Sequence, residues 1–220
     1  MKVTTDGCLF GALQPPLPEG GAGKNILDIG AGTGLLSLMA AQLNPFASIT
    51  ALEIEPGAAQ EAAENSAGSP FKDHVQVVQQ DVLVYKPAGR FHLIICNPPF
   101  HESQLISPDK NRNKAHHSAT LQLSQVFPLA ASWLEKEGLF TLLLPFYREE
   151  EALGLCGEQG LFCKKMIRVR QTPMHDFFRS ILFFGKENGQ FQVEEMTIRL
   201  ENNAYSPEFK ALLQPFYLNL

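Results

Sequence analysis

A glycine-rich loop is the first segment whose residue types and spacing could bind a ligand. In residues 27–34 (LDIGAGTG), three glycines are spaced two apart after an apolar stretch, and Asp28 stands two residues before the first of them. Glycines permit a tight turn and let a ligand approach main-chain amides at the start of a helix. A dinucleotide fingerprint, GxGxxG, would require glycine where Leu35 stands. Asp28 would repel a pyrophosphate, but it suits a ligand that carries an amine and a sulfonium.

Further residues are placed to complete such a site. Glu53 lies at the end of the second predicted strand, next to Ile54; a carboxylate at this point can accept both hydroxyls of a ribose. Asp81 follows the third strand and could accept an adenine amino group, with Val82 supplying a main-chain contact. The alternative for the whole set is a tight strand–helix turn with solvated acids.

A second segment with chemical potential is Asn97-Pro98-Pro99-Phe100, at the end of the fourth predicted strand. Parallel sheets place ligands at the carboxyl ends of their strands. Consecutive prolines fix φ and remove two donors, so the carbonyls of this turn are free to accept. The side-chain oxygen of Asn97 and the carbonyl of Pro98 could converge on a planar amine and expose its lone pair, while Phe100 offers a face for stacking. The alternative is a rigid loop with an exposed aromatic residue.

The elements that must position these segments alternate between apolar strands and amphipathic helices. Continuous apolar strands of this kind predict an α/β sheet of seven strands, mostly parallel with an antiparallel last hairpin, covered by helices on both faces. A long polar loop, residues 98–119, and an aromatic tail, residues 205–220, interrupt the alternation. We predict strands at residues 25–29, 48–54, 75–78, 91–96, 139–144, 162–170 and 180–184, and helices at 35–43, 56–65, 121–135 and 149–157.

The composition bounds the class of protein. With 220 residues and 45% hydrophobic content, the chain can bury one core, so we expect a single domain over residues 1–220. The hydrophobic fraction excludes disorder, and four cysteines are too few for a disulfide scaffold. No apolar run approaches the roughly 20 residues that span a bilayer, and the start of the chain has no apolar core of a signal peptide. We therefore expect a cytoplasmic protein without a membrane partner.

The net charge and the local clusters of basic residues give opposite indications about nucleic-acid binding. The formal net charge of −5 argues against binding that rests mainly on phosphate contacts. However, Lys164, Lys165, Arg168 and Arg170 alternate along one predicted strand, where they could contact an RNA backbone without reading its sequence. A second basic stretch lies in the loop after Phe100 and could cover a flipped base: Lys110, Arg112, Lys114, His116 and His117.

Both motifs resemble those of known methyltransferases. The glycine loop with its acids resembles the S-adenosylmethionine site of class I (Rossmann-like) methyltransferases. The run Asn97-Pro98-Pro99-Phe100 resembles the (N/D)PP(F/Y) motif of amino-methyltransferases that act on adenine, guanine or glutamine. The resemblance implies S-adenosylmethionine as cofactor, with no metal, and it implies that Asn97, Pro98, Pro99 and Phe100 are catalytic. It implies cofactor contacts from Asp28, Gly30, Gly32, Gly34, Glu53, Ile54, Asp81, Val82 and Asn97.

The two ends of the chain carry a more specific resemblance. Residues 1–7 (MKVTTDG), 203–206 (NAYS) and 214–218 (QPFYL) are similar to the bacterial tRNA1(Val) adenine-37 N6-methyltransferase family. This implies transfer to N6 of the adenine beside the anticodon, a monomer that binds the anticodon stem-loop, and a cofactor edge lined by Lys2, Thr5 and Asp6. Members usually carry an aromatic and basic extension before the segment that starts here at Met1, so we expect a closing element to be missing.

Three other activities fit the same motifs. Ribosomal-RNA guanine-N2 methyltransferases share the Asn97-Pro98-Pro99-Phe100 run followed by His101. A protein-glutamine methyltransferase would use the same loop without any dependence on RNA. A non-catalytic module would bind the cofactor or RNA and would tolerate loss of the Asn97 side chain.

Overall fold

The structure, a computed structural model, describes residues 4–99 and 121–218. Its strands are β1 Asn25–Ile29, β2 Ser48–Glu53, β3 Val75–Gln79, β4 Phe91–Cys96, β5 Leu134–Pro145, β6 Phe162–Arg170, β7 Phe177–Gly185 and β8 Gln192–Thr197. Its helices are α1 Thr5–Ala12, α2 Leu35–Leu43, α3 Pro56–Ala67, α4 Leu123–Trp133, α5 Glu149–Glu158 and α6 Pro207–Leu213. Short 3-10 turns are found at Pro18–Gly21, Phe146–Arg148 and Gln214–Phe216.

The eight strands of the described residues form one sheet in the order β3-β2-β1-β4-β5-β7-β6-β8. The first five in this order are mutually parallel, β7 runs antiparallel to β5 and β6, and β8 is parallel to β6. The strands other than β7 therefore end at the same edge of the sheet, which we call the carboxyl edge, and β7 begins there. This edge carries both candidate motifs, as expected for a parallel sheet.

The prediction of seven strands was wrong by one. The additional strand, β8, lies at the outer edge beside β6, and of its six residues only Met196 is buried. Its sequence, QVEEMT, lacks an apolar run, and its place is supported by the ladder with β6 and by ion pairs such as Lys165 with Glu194. Periodicity and burial could not indicate such a strand, because most of its side chains face solvent.

The core has one layer on each face of the sheet, and this explains the continuous apolar strands. In β1, Ile26 belongs to the cluster shared with α1, α2 and α6, whereas Leu27 belongs to the cluster shared with α4 and α5. In the second cluster the rings of Phe127, Phe140 and Phe184 have centroids 5.2–5.7 Å apart, in edge and stacked arrangements. Among the described residues, no helix is both long and apolar enough to cross a membrane.

The N-terminal segment forms a helix that the sequence pattern did not predict. Thr4 caps α1 by accepting a hydrogen bond from the Gly7 amide, and a Cβ at Gly11 would lie only 2.4 Å from the sulfur of Met39 in α2. This glycine lets α1 approach α2 closely. The aromatic tail also folds, since Phe209 of α6 is buried in the same core layer.

Candidate active site

The glycine loop turns directly from β1 over the end of β2 into α2. The amides of Gly30 and Ala31 both donate to the carbonyl of Leu52, at 2.9 and 3.0 Å. Gly30, Gly32 and Gly34 all have φ between 58° and 85°, in the left-handed region that favours glycine. A Cβ at Gly34 would lie 3.3 Å from the Cβ of Ala62, whereas a Cβ at Gly30 would meet open space. Gly30 is therefore the point at which a ligand can approach the main chain.

Asp28 lies beneath this loop with one carboxylate oxygen unpaired. The side chain is fully buried, and its Oδ2 accepts a 2.6 Å hydrogen bond from the hydroxyl of Ser37. No hydrogen-bond donor among the described residues reaches the equally buried Oδ1. Burial, and to a smaller extent the charge of Glu53, raises the pKa of Asp28 to about 6. An unpaired buried carboxylate oxygen is an acceptor that a ligand's N–H group can satisfy.

Glu53 joins the end of β2 to the glycine loop. Its Oε2 accepts from the amide of Gly32 at 2.8 Å, and its Oε1 accepts from the amide of Glu55 at 2.9 Å. Each carboxylate oxygen keeps a second lone pair, so two hydroxyls of a ribose can still be accepted. Ile54, the next residue, is 60% exposed and offers an apolar surface beside the carboxylate.

Asp81 organises the turn after β3. Its Oδ1 accepts from the amide of Leu83 at 2.9 Å, and its carbonyl accepts from the amides of Val84 and Tyr85. Val82 is buried in the core layer under α4. This turn follows the strand adjacent to β2, so Asp81 stands at the same edge as Glu53.

Asn97 emerges beside the glycine loop because of the strand register. Ile29, the last residue of β1, is paired with Cys96, the last residue of β4, and adjacent strands lie about 4.8 Å apart. Gly30 and Asn97 thus leave neighbouring strands at the same level. Asn97 is half-buried, Pro98 is buried and Pro99 is exposed. Phe100, together with the basic loop residues at positions 110–117, lies outside the described residues.

Of the three N-terminal residues predicted to contact the cofactor, the structure describes Thr5 and Asp6. Asp6 forms an ion pair with Arg179 at the start of β7, with 2.8 Å between Oδ2 and Nε. Burial raises its pKa, but hydrogen bonds from Thr4 and Arg179 outweigh that effect and leave the pKa below its usual value. The ion pair with Arg179 holds Asp6 at the carboxyl edge beside β7. In the sheet, β4 and β5 lie between β7 and β1, the strand that leads into the glycine loop. Thr5 is exposed at the start of α1, and Lys2 lies outside the described residues.

The basic strand is not a free cationic stripe. Three of its four cations form ion pairs with carboxylates from neighbouring elements, so a phosphate would have to compete with these acids. The pairs are Lys165 with Glu194 at 2.8 Å, Arg168 with Glu149 at 2.6 Å, and Arg170 with Glu195 at 3.1 Å.

Glu149 was not identified from the sequence, although it forms the centre of a buried network. Both its oxygens accept from the guanidinium of Arg168, and Oε2 also accepts from the hydroxyl of Ser180 at 2.8 Å. The run of three acids at residues 149–151 was the only available signal, and it is typical of a solvated helix start. Within the part of the chain that the structure describes, no group of three or more His, Cys, Asp or Glu residues could hold a metal ion.

Comparison with known proteins identifies the family. Residues 9–138 match the model of the methyltransferase small domain. The chain is 38% identical over its full length to a tRNA1(Val) (adenine(37)-N6)-methyltransferase of Bacteroides thetaiotaomicron, covering 92% of that protein. It is 34% identical over its full length to a protein of the same name from Yersinia enterocolitica, covering 87% of it.

A solved structure confirms the expected fold. A predicted O-methyltransferase from Agrobacterium tumefaciens superimposes with a TM-score of 0.70 over 94% of each chain, at 18% identity. The class I methyltransferase fold is therefore confirmed, with eight strands in the part of the chain that the structure describes, where seven were predicted. The chain belongs to the family of tRNA1(Val) (adenine(37)-N6)-methyltransferases.

Proposed function

We propose that the protein transfers a methyl group from S-adenosylmethionine to N6 of adenine 37, beside the anticodon, in tRNA1(Val). The observation that carries the proposal is the register between Ile29 and Cys96, which brings the glycine loop and Asn97 out of adjacent strands. A cofactor site and an amine-binding turn at this spacing can hold a methyl donor and an amino group side by side. Such positioning supplies much of the catalysis of a group transfer.

The residues at the glycine loop fit S-adenosylmethionine. The unpaired, buried Oδ1 of Asp28 can take part in holding the ligand's amine, and the open space at Gly30 admits it to the main chain. Glu53 would accept the ribose hydroxyls. Ile54 would contact the adenine ring, and Asp81, with the main chain of Val82, would hold the adenine amino group. When bound, this cofactor supplies a methyl group already activated on a sulfonium, so the proposal requires no metal.

The turn after β4 would hold the substrate. The side-chain oxygen of Asn97 and the carbonyl of Pro98 would accept from the two N–H bonds of the adenine amino group and direct its lone pair at the methyl group. Pro99 keeps the turn rigid. Phe100 is the sequence-based candidate for stacking on the base. No strong general base is needed, because methylation makes the nitrogen acidic and its proton then leaves to water.

The names of the relatives support the choice of substrate over guanine N2 or a glutamine side chain. Other features remain predictions. The chain is predicted to form a single domain, and the protein is predicted to be a monomer that acts on the anticodon stem-loop in the cytoplasm. Lys2, Thr5 and Asp6 remain candidates for the cofactor edge. For Asp6, the ion pair with Arg179 supports a role in fixing α1.

The test is methylation of tRNA from cells that lack this modification, with labelled S-adenosylmethionine and nucleoside analysis. N6-methyladenosine at one position is the expected product, and N2-methylguanosine or labelled protein would refute the proposal. The matched variant is Asn97→Ala. It should abolish transfer and leave cofactor affinity in calorimetry nearly unchanged, since the residue is assigned chiefly to the substrate amine. A comparable loss of cofactor affinity would contradict that assignment.

A further inference from the structure

The topology brings four residues with aromatic or thioether side chains to the carboxyl edge, beyond the residues assigned to the reaction. Phe146 and Tyr147 follow the end of β5, Met174 lies in the loop between β6 and β7, and Phe177 begins β7. We call these four residues the aromatic rim. Tyr147 is 74% exposed and Met174 is 80% exposed, so water covers large apolar surfaces that the fold itself does not use. Exposed groups with apolar surface at one edge of a sheet are typical of interaction sites.

Two members of the aromatic rim, Phe146 and Phe177, are held in place by neighbouring side chains. The rings of Phe146 and Phe177 have centroids 5.6 Å apart. The guanidinium of Arg168 lies 5.6 Å from the Phe146 ring, and that of Arg170 lies 5.4 Å from the Phe177 ring. Arg168 is itself fixed by two hydrogen bonds to the buried Glu149 described above. A surface fixed in this way loses little further freedom when a ligand binds.

The charges around the aromatic rim favour flat, uncharged groups over phosphates. Arg148, Arg168 and Arg170 are each paired with a carboxylate, Arg148 with Glu151 and Arg168 with Glu149 in the first turn of α5, which also contains Glu150. A phosphodiester would meet these acids as well as the cations. A nucleobase presents a neutral π-face that can stack on tyrosine or phenylalanine, and this stacking tolerates any base identity.

The aromatic rim also lies close to the place proposed for the target adenine. Cys96, immediately before Asn97, is paired with Leu142, and β5 continues for three residues to Pro145. At about 3.3 Å per residue, Pro145 lies about 10 Å beyond the level of Cys96, and Tyr147 follows two residues later in the 3-10 turn Phe146–Arg148. When the target adenine is flipped into its proposed place beside Asn97, the nucleotides next to it would extend over this distance and reach the aromatic rim.

We propose that the aromatic rim stacks the unpaired bases that flank the target nucleotide in the substrate RNA, with Tyr147 as the principal contact. This inference rests on the proposed function, since it takes the substrate to be an RNA loop. It assigns a positioning role to Tyr147, which touches neither the methyl group nor the amine that receives it.

Binding of a fluorescently labelled anticodon stem-loop RNA, followed by anisotropy, tests the inference without requiring methyl transfer. Tyr147→Ala should weaken binding about 5- to 140-fold, the range that corresponds to about 1–3 kcal/mol per stacked base at 1.4 kcal/mol per tenfold. Tyr147→Phe should retain binding, because its ring stacks equally well. The slope of log K against log salt should be the same in both variants as in the unmodified protein, because no charge is removed.

Phe46→Ala is the matched control. Phe46 is 64% exposed but stands just before β2, at the opposite edge of the sheet, so its removal should leave RNA affinity unchanged. An equal loss in Phe46→Ala and Tyr147→Ala, or no loss in either, would overturn the inference. A fully paired RNA of equal length should bind the unmodified protein and Tyr147→Ala equally; a loss there as large as for the stem-loop would also overturn it. If the unmodified protein binds the stem-loop through Tyr147 but labels no adenine, the proposed function fails and the stacking surface stands.

Discussion

Replacing Asp28 by Asn tests the electrostatics of the candidate site without requiring a substrate. The carboxylate is fully buried, accepts one hydrogen bond from Ser37, and has a second oxygen with no donor among the described residues. In the absence of a ligand, its charge is therefore poorly compensated. Asn retains the shape and can still accept from Ser37, but it carries no charge at any pH.

The sign and size of the effect follow from the raised pKa. Burial raises the pKa of Asp28 from 3.8 to about 6. Because the folded-state pKa lies above the unfolded one, the stability contributed by protonation is fully present below about pH 4 and is lost as the pH rises through 6. A difference of about two pKa units is worth about 3 kcal/mol in all. About half of this, roughly 1.5 kcal/mol, is lost between pH 5 and pH 8.

Thermal unfolding of both proteins at these two pH values provides the assay. The melting temperature of Asp28→Asn minus that of the unmodified protein should rise by about 3–6 °C from pH 5 to pH 8, since 1 kcal/mol shifts a chain of this size by about 2–4 °C. Any fixed cost of burying the Asn amide is the same at each pH and cancels. A melting-temperature difference that stays flat or falls would contradict the raised pKa of Asp28. In calorimetry, Asp28→Asn should also bind S-adenosylmethionine more weakly, because it removes the buried anion that we propose takes part in holding the ligand's amine.

Two further substitutions test the loop around this acid. Gly34→Ala should lower the free energy of unfolding by about 1–3 kcal/mol, because a φ of 85° is unfavourable for alanine and the new Cβ would crowd Ala62. The control is Gly154→Ala, at an exposed helix position with open space, which should slightly raise the free energy of unfolding in the same denaturation series. Equal effects of the two would contradict this account. Glu53→Gln should lower cofactor affinity at least tenfold in calorimetry, because it weakens the acceptors for the ribose and for the Gly32 amide. Unchanged affinity would exclude the ribose assignment.

The sequence predicted the buried strands of the sheet and the helices that alternate with them along the chain. The strands at Asn25–Ile29 and Phe91–Cys96 were predicted with the bounds that the structure shows, because strands buried on both faces are written as continuous apolar runs. The helix Leu35–Leu43 was predicted with equal accuracy, since it begins at a glycine turn and ends at Asn44 before a proline. The positions of the glycine loop and of Asn97 at strand ends followed from these elements.

Other features depended on contacts between distant segments. The strand β5 begins at Leu134, five residues before the predicted start, because Gly138 lets it pass close to the carbonyls of Phe91 and His92. The helix α1 contains two glycines and lacks an amphipathic pattern, so its stability comes from packing on α2. The pairing of Arg168 with Glu149 joins residues 19 apart, which no local pattern indicates.

The contact between the first and last helices has a consequence for the order of folding. Leu9 of α1 and Phe209 of α6 share one core layer, although 200 residues of chain separate them. During synthesis, α1 therefore cannot complete its packing until the residues of α6 have left the ribosome. Contacts of such long sequence separation form slowly because closing the intervening loop costs entropy. The sheet can assemble first, and α1 and α6 then close over it together as one late cooperative unit.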